Sequence, residues 1–482
     1  MQNFSNYIAG EWVSSDKFTE NRNPSDLSDI IGNYAQADKA QLDRAIDSAR
    51  QAQKIWAATG LEKRYSVLMS IGEEMKTRSA ELGELLSREE GKPLAEGKGE
   101  IFRAGQFFTY YAAEVLRQMG DTADSVRDGI EIDVRREAVG VVAIISPWNF
   151  PTATATWKIA PALAYGNAVV WKPANLTPAS AWALAEIFSR HDLPKGLFNL
   201  VMGGGSSIGQ QLVESAGIDA ISFTGSVDVG RGIAASAITN MTKIQMEMGS
   251  KNPLVVMDDA DLDLAVACAV GGAYGSTGQK CTASSRLIVH EKIHDAFVEK
   301  AAAAVKAMKV GHALTEGTQL GPVVSETQLN SNLEYMKLAH EEGCELICGG
   351  DRLDMPTEGY YMAPALFING NNSMRVNREE MFAPIACVIK VGSYDEALAT
   401  SNDTGFGLTS GIITGSLARA NHYRRNSRTG CVMINLPTAG TDYHVPFGGR
   451  GNSSYGAREQ GSYAAEFYTQ VKTSYISSGT PE

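Results

Sequence analysis

Cysteine and histidine are scarce, with six and seven in 482 residues. The cysteines (Cys268, Cys281, Cys344, Cys348, Cys387 and Cys431) form no C-x-x-C pair, which argues against a disulfide scaffold or a zinc site. The histidines form no H-E-x-x-H pattern, so no metal is expected. No stretch approaches the ~20 apolar residues of a membrane helix. The best apolar run, 139–145, has the length of a strand. The opening MQNFSNYIAGEW has no basic region followed by an apolar core, so no signal peptide is expected. Long basic runs are missing and the net charge is −12, which argues against nucleic acid as a partner. Sparse, unpaired thiols fit a reducing cytoplasm.

What is present is a globular chain, 44% hydrophobic and 20% charged. Its length calls for two or three domains. Residues 36–118 carry apolar residues at helical spacing, as in ADKAQLDRAIDSARQAQKIWAA. The pattern then changes. Strand candidates at 138–146, 167–173, 196–203 and 219–226 alternate with helical stretches at 177–191, 207–215 and 227–238. That alternation implies parallel βαβ units, whose ligands bind at the carboxyl ends of the strands. A second α/β half begins near Ser250, with strands at 285–289, 363–368, 386–391, 408–414 and 430–435. Helices are expected at 262–276, 291–308 and 326–342. The tail, 466–476, alternates like a strand that pairs with another element or another subunit.

Several residues have a chemical reading and a plainer one. Cys281 in STGQKCTASSR sits in a polar, turn-like setting after Lys280, where nearby donors would favour a thiolate. Its plainer reading is a small core thiol. Glu247 stands between Met246 and Met248, and desolvation there would raise its pKa towards that of a working base. Otherwise it is a surface glutamate on a strand edge. Asn149 in SPWNFP is an amide donor at a strand end, suited to an oxyanion, or simply a turn asparagine. In FTGSVDVG, Ser226 would cap a helix whose first amides face a phosphate. Neither this turn nor Gly203–Gly205 is a G-x-G-x-x-G fingerprint. Residues 205–209, GSSIG, match the hydrolase elbow G-x-S-x-G, with Ser207 as nucleophile and His444 as a late histidine. That reading leaves Cys281, Glu247 and Asn149 without roles.

Taken in order, SPWNFP, WKPA, FTGS, EMGS, GQKC, EEMFAP and PFGG resemble the aldehyde dehydrogenase superfamily over essentially the whole chain. The stretches STGQKCTASSR and GYYMAPALF, and PFGG followed by SS and AREQG, are most similar to its members acting on α-ketoglutaric semialdehyde (2,5-dioxopentanoate). Members acting on succinate semialdehyde or another short ω-carboxy aldehyde are the near alternative. The resemblance implies an α/β fold with a Rossmann-like cofactor domain (1–119 and 139–248) and a catalytic α/β domain (249–462). It also implies a small β oligomerisation element (120–138 and 463–482) serving a homodimer or homotetramer. An intact Cys/Glu/Asn set speaks against a non-catalytic structural role.

By the same resemblance the reaction is NAD(P)-dependent oxidation of an aldehyde to a carboxylate. Cys281 would be the nucleophile, Glu247 the general base, and Asn149 with the backbone N–H of Cys281 the oxyanion hole. Cofactor contacts would come from Ile145, Trp148, Lys172, Asn175, Gly205, Gly209, Phe223, Thr224, Gly225, Ser226, Glu380 and Phe382. Strict NAD users typically carry Glu where this chain has Asn175, so NADP should be tolerated or preferred. A second departure is EMGS in place of the common ELGG. Arg103, on a helix lining the aldehyde tunnel in this family, would grip a distal carboxylate in two-point fashion. Its plainer reading is a solvated helix arginine. Phe150, Trp157 and the loop 436–444 would complete the tunnel.

Overall fold

The computed structural model describes residues 2–479. Met1 and residues 480–482, the outer ends of the expected 1–119 and 463–482 spans, lie outside it. The apolar runs form strands whose residues are almost all buried: Val141–Ile145, Ala168–Lys172, Phe198–Leu200 and Ala220–Thr224. Strands buried on both faces carry no alternation because helices cover each side of a parallel sheet. These four, with Lys243–Glu247, run parallel in the middle of an eight-stranded sheet. From Val141–Ile145 the chain builds outward through Ala168–Lys172 to Phe198–Leu200. It then returns to the other side for Ala220–Thr224 and Lys243–Glu247. The order therefore reverses between Val141–Ile145 and Ala220–Thr224, where Ile145 pairs with Phe223. Such a switch point opens a crevice at the strand ends.

Glu247 is not on a sheet edge. Its strand is paired with Ala220–Thr224 on one side and with Ser454–Tyr455 on the other, Glu247 lying opposite Ser454. The late Gly-rich segment thus closes over the first sheet, a long-range pairing that local pattern does not encode.

The second half contains a seven-stranded sheet, parallel except for the antiparallel edge strand Glu345–Cys348. A third sheet joins Asp121–Asp124, Ile130–Ala138 and Thr469–Ser477. The tail strand pairs in register with Ile130–Ala138 of its own chain, from Thr469 opposite Ala138 to Ser477 opposite Ile130. It starts later than its alternation suggested, because Ala465–Tyr468 is a helical turn. Five N-terminal strands between Asn3 and Ala35 went unread. Most are two to six residues long, too short for a period to register.

The helix Leu94–Val115 matters most for the site. Pro93 starts it, and Ile101, Ala104, Phe108, Tyr111, Ala112 and Val115 make its buried face. It lies close against Leu61–Thr77 through two glycines. A Cβ at Gly72 would come 2.8 Å from the Gly105 carbonyl oxygen, and one at Gly105 would come 2.6 Å from that of Gly72. Burying Ile101 or Phe108 fully contributes about 1.5–3 kcal/mol each. No helix among the described residues is long and apolar enough to cross a membrane.

Candidate active site

The helix Leu262–Tyr274 ends at Gly275, and the chain turns left-handed for three residues: Ser276 (φ 51°), Thr277 (φ 56°) and Gly278 (φ 67°). Each non-glycine residue in that conformation costs about 1–2 kcal/mol, so the turn must be held from outside. Glu96 accepts both the N–H and the hydroxyl of Ser276. The Thr277 hydroxyl donates to Gly321 O, and Gln279 Oε1 accepts Val324 N–H at 3.1 Å. Residue 278 has no room for a side chain, because a Cβ would collide with the Ala383 carbonyl. The turn delivers Cys281, whose own carbonyl accepts from Asn252 Nδ2 at 2.7 Å. Its side chain is half-buried.

The anticipated low-pKa thiol is not found. Burial pushes the Cys281 thiol up to about 12, and the carboxylates of Glu380 and Glu247 add to the rise. Lys280 does not compensate: its ammonium donates to Gly271 O at 3.3 Å. At neutral pH the sulfur is protonated.

Asn149 follows the strand Val141–Ile145 and is 5% exposed. Its Nδ2 donates to Gln279 O at 2.9 Å, two residues before Cys281, and the amide has a second hydrogen. Glu247 closes its strand and is buried. Its Oε2 accepts from Ser454 Oγ at 2.6 Å. Burial holds this carboxyl well above the ordinary range, and the neighbouring Glu459 pushes the same way. Ser454, Lys158 and Arg458 oppose the rise without cancelling it. Glu459 is ion-paired with Lys158, both buried, and Lys158 also donates to Ser222 Oγ at 3.1 Å. Sequence reasoning passed over Ser454, Lys158 and Glu459. The available signal was a lysine inside the apolar helical stretch ATATWKIAPALA.

Ser250, the departure in EMGS, is used. Its hydroxyl donates to Asn252 Oδ1 at 2.7 Å, and Asn252 in turn holds the Cys281 carbonyl. A Cβ at Gly249 would displace the Glu380 carboxylate. Glu380 Oε1 accepts Ser250 N–H at 2.8 Å, and burial pushes its pKa up to about 7. Phe382 (φ 55°) stands edge-on to Trp148, ring centroids 5.4 Å apart.

At the switch point the residues fit a dinucleotide. Lys172 ends its strand 6% exposed, and its ammonium has one protein partner among the described residues, Pro173 O at 2.8 Å. Burial lowers its pKa to about 8. The buried Thr224 hydroxyl has no hydrogen-bond partner among the described residues. Phe223 and Thr224 end the strand beside Ile145, and Gly225 leads to Ser226, which caps Val227–Ala237 through Val229 N–H. A Cβ at Gly205 would meet nothing within 4 Å, whereas one at Gly209 would touch the Lys172 stem at 3.5 Å. An underused cation, an orphan hydroxyl and a helix N-terminus suit phosphate and sugar oxygens. Asn175, three residues after Lys172, is exposed and neutral.

On the other flank, Arg103 is half-buried on Leu94–Val115 and has no carboxylate partner among the described residues. Its guanidinium stands 5.3 Å from the ring centroid of Tyr443, in the 436–444 loop. Phe107 sits edge-on to both Trp157 (5.9 Å) and Tyr443 (6.3 Å), and Trp157 also packs on Phe447. Phe150 lies under Lys92 Nζ. The hydrolase reading finds no triad: the Ser207 hydroxyl is exposed and donates to Gly204 O at 3.3 Å, and His444 makes no hydrogen bond to it among the described residues.

A thiol on a held turn, together with a strand-end switch point whose polar groups suit a dinucleotide, is the pattern of a nicotinamide-dependent oxidoreductase. The chain belongs to the aldehyde dehydrogenase family, whose model matches residues 12–474. It is 40% identical over 475 residues to an α-ketoglutaric semialdehyde dehydrogenase of Bacillus subtilis, covering 98% of this chain and 97% of that one. A betaine aldehyde dehydrogenase from Staphylococcus aureus in complex with NAD+ superposes with a TM-score of 0.95 at 32% identity, covering 99% and 96% of the two chains. An NADP-dependent enzyme of E. coli does so with a TM-score of 0.95 at 33% identity, covering 98% of each.

Proposed function

We propose that this enzyme oxidises α-ketoglutaric semialdehyde to 2-oxoglutarate with a nicotinamide cofactor, through a thioester on Cys281. The reading is carried by one convergence. Asn149 is bonded two residues from the thiol, and Glu247 lies near enough for its charge to move that thiol's titration. The thiol gives its proton to water, the sulfur attacks the aldehyde carbon, and the C–S bond forms as the carbonyl π pair moves onto oxygen. The carbonyl oxygen becomes an oxyanion that Asn149 and the backbone N–H of Cys281 stabilise. Hydride acceptance is the chemistry the nicotinamide supplies when bound. Glu247 takes a proton from water, the resulting hydroxide attacks the thioester, and sulfur leaves as the thiolate.

Lys172, Thr224, Ser226 and the Gly205–Gly209 turn would hold the adenosine and pyrophosphate end, beside Phe223 and Gly225. Ile145, Trp148, Glu380 and Phe382 would border the nicotinamide end. Asn175 offers no negative charge against a 2′-phosphate, so NADP is accepted as well as NAD. Asn175→Glu should lower kcat/KM with NADP by about 10–100-fold and leave NAD within about threefold, measured by initial rates with each cofactor.

A distal carboxylate is favoured because the Arg103 guanidinium has no carboxylate partner among the described residues and stands 5.3 Å from the Tyr443 ring centroid. A bidentate ion pair there contributes roughly 1.5–3 kcal/mol. Arg103→Met should therefore raise KM for α-ketoglutaric semialdehyde about 10–100-fold and leave propanal within about threefold. A panel of α-ketoglutaric, succinic and glutaric semialdehydes, propanal and benzaldehyde, run with both cofactors, tests the whole reading. Propanal turned over as efficiently as the semialdehydes would remove the carboxylate requirement, and succinic semialdehyde leading the panel would favour the alternative. Assembly as a homodimer or homotetramer is supported by the third sheet, which leaves Val471, Tyr475 and Ile476 exposed.

A further inference from the structure

Lys92, Glu90 and Glu100 form a charged cluster in the interior, exposed by 1%, 0% and 6%. The reaction as described gives none of them a task. Lys92 Nζ donates to Glu100 Oε2 at 2.7 Å and to the backbone carbonyl of Asn149 at 2.5 Å. It also stands 3.9 Å from the ring centroid of Phe150. The other oxygen of Glu100 accepts the N–H groups of Thr152 and Ala153, each at 3.0 Å. Those amides open the helix Ala153–Ala164, where a negative charge is favoured by the dipole. Two side chains thus grip the backbone from residue 149 to residue 153.

Packing does not explain the cluster. Apolar side chains of the same volume stabilise an interior as well as a buried ion pair, or better. Burial works against the Lys92 ammonium, but Glu100 and then Glu90 outweigh it, so the charge persists. Burial also pushes Glu90 itself up to about 8, so the close ion pair is the 2.7 Å contact of Lys92 with Glu100. Glu100 stands one turn after Glu96 on the helix Leu94–Val115. Glu96 holds Ser276, at the head of the turn that delivers Cys281. One helix end therefore holds both the Asn149 segment and the thiol's turn, and the two touch where Asn149 Nδ2 meets Gln279 O.

We infer that Lys92 and Glu100 are positioning residues for the attack on the aldehyde, fixing the Asn149 backbone so that its amide meets the developing oxyanion. This rests on Asn149 being an oxyanion donor. Losing such a donor typically costs about 10²–10³-fold in kcat, and misplacing it should cost part of that.

The test is a double-mutant cycle on the full-length enzyme, read as the single-turnover rate of reduced-cofactor formation with saturating aldehyde. Lys92→Met should slow that rate about 10–100-fold, while the cofactor Kd stays within about twofold because the adenosine end lies elsewhere. Lys92→Met combined with Asn149→Ala should be no slower than Asn149→Ala alone, within about twofold, since both remove one function. Multiplying losses, or a Lys92→Met rate equal to that of the parent enzyme, overturns the inference and leaves the Asn149 reading standing. An Asn149→Ala enzyme at the parent rate sinks both. If Lys92→Met does not fold, Glu100→Gln replaces it. That variant keeps an oxygen for Thr152 and Ala153 while removing the partner charge, and it should show a smaller loss with the same non-additivity. Additive losses in that cycle are equally fatal to the inference.

Discussion

Cys281→Ala is expected to lose at least about 10⁴-fold of its aldehyde oxidation while still binding cofactor and melting within a few degrees of the parent. Removing a nucleophile typically costs this much, because the surviving groups have nothing to activate. The side chain is small and half-buried, and the turn is held by Glu96, Thr277 and Gln279 rather than by the thiol. Stability should therefore survive where activity does not. The parent thiol carries a companion signature. Because its pKa is pushed up to about 12, alkylation of the cofactor-free enzyme at Cys281 should accelerate about tenfold per pH unit from about pH 7 to 10, with no plateau. A plateau below about pH 8 would mean that the resting sulfur is already ionised.

Glu247→Gln is expected to separate the two halves of the reaction. Cys281 would still form its thioester, so one equivalent of reduced cofactor should appear in a burst. Steady turnover should then fall about 10²–10⁴-fold for want of a base. Loss of burst and turnover together would place Glu247 in the attack step instead. The pH profile follows from the raised carboxyl pKa. A base works only when deprotonated, so parent turnover should climb as pH rises through that raised value, and the glutamine variant should lose the limb. Stability runs the opposite way. A carboxyl whose folded pKa is raised contributes stability that is fully present below its unfolded pKa and is lost as pH rises through the folded one. The parent should melt progressively earlier than Glu247→Gln once the pH passes well above the ordinary carboxylate range.

Much of the fold was legible because period and punctuation are local. Apolar runs bounded by Pro147, Pro173 and Gly225 marked the strands of the first sheet, and residues 36–118 announced their helices. The short N-terminal strands were not legible, since two or three residues carry no period. Nor was the late strand Ser454–Tyr455, which completes the sheet beside Glu247. Its neighbour in space lies some two hundred positions away in the chain.

The same division runs through the site. Residue type and neighbours were enough to nominate Cys281, Glu247 and Asn149, and to foresee a raised carboxyl pKa between two methionines; Lys172 and Arg103 came from the family resemblance. The thiol was misjudged. A polar, turn-like sequence suggested donors, but the groups that face the sulfur, Glu380 and Glu247, come from other elements and carry the wrong charge to ionise it. Lys92 and Glu100 went unnoticed because a charged residue ordinarily belongs to a solvated surface. Only folding takes them out of water and turns them onto the Asn149 backbone. Linear order determined the chemical groups available and the elements that carry them, since both depend on near neighbours. Desolvation and charge proximity are sums over atoms brought together from distant segments, so the protonation state of each group and its aim were decided by the tertiary structure alone.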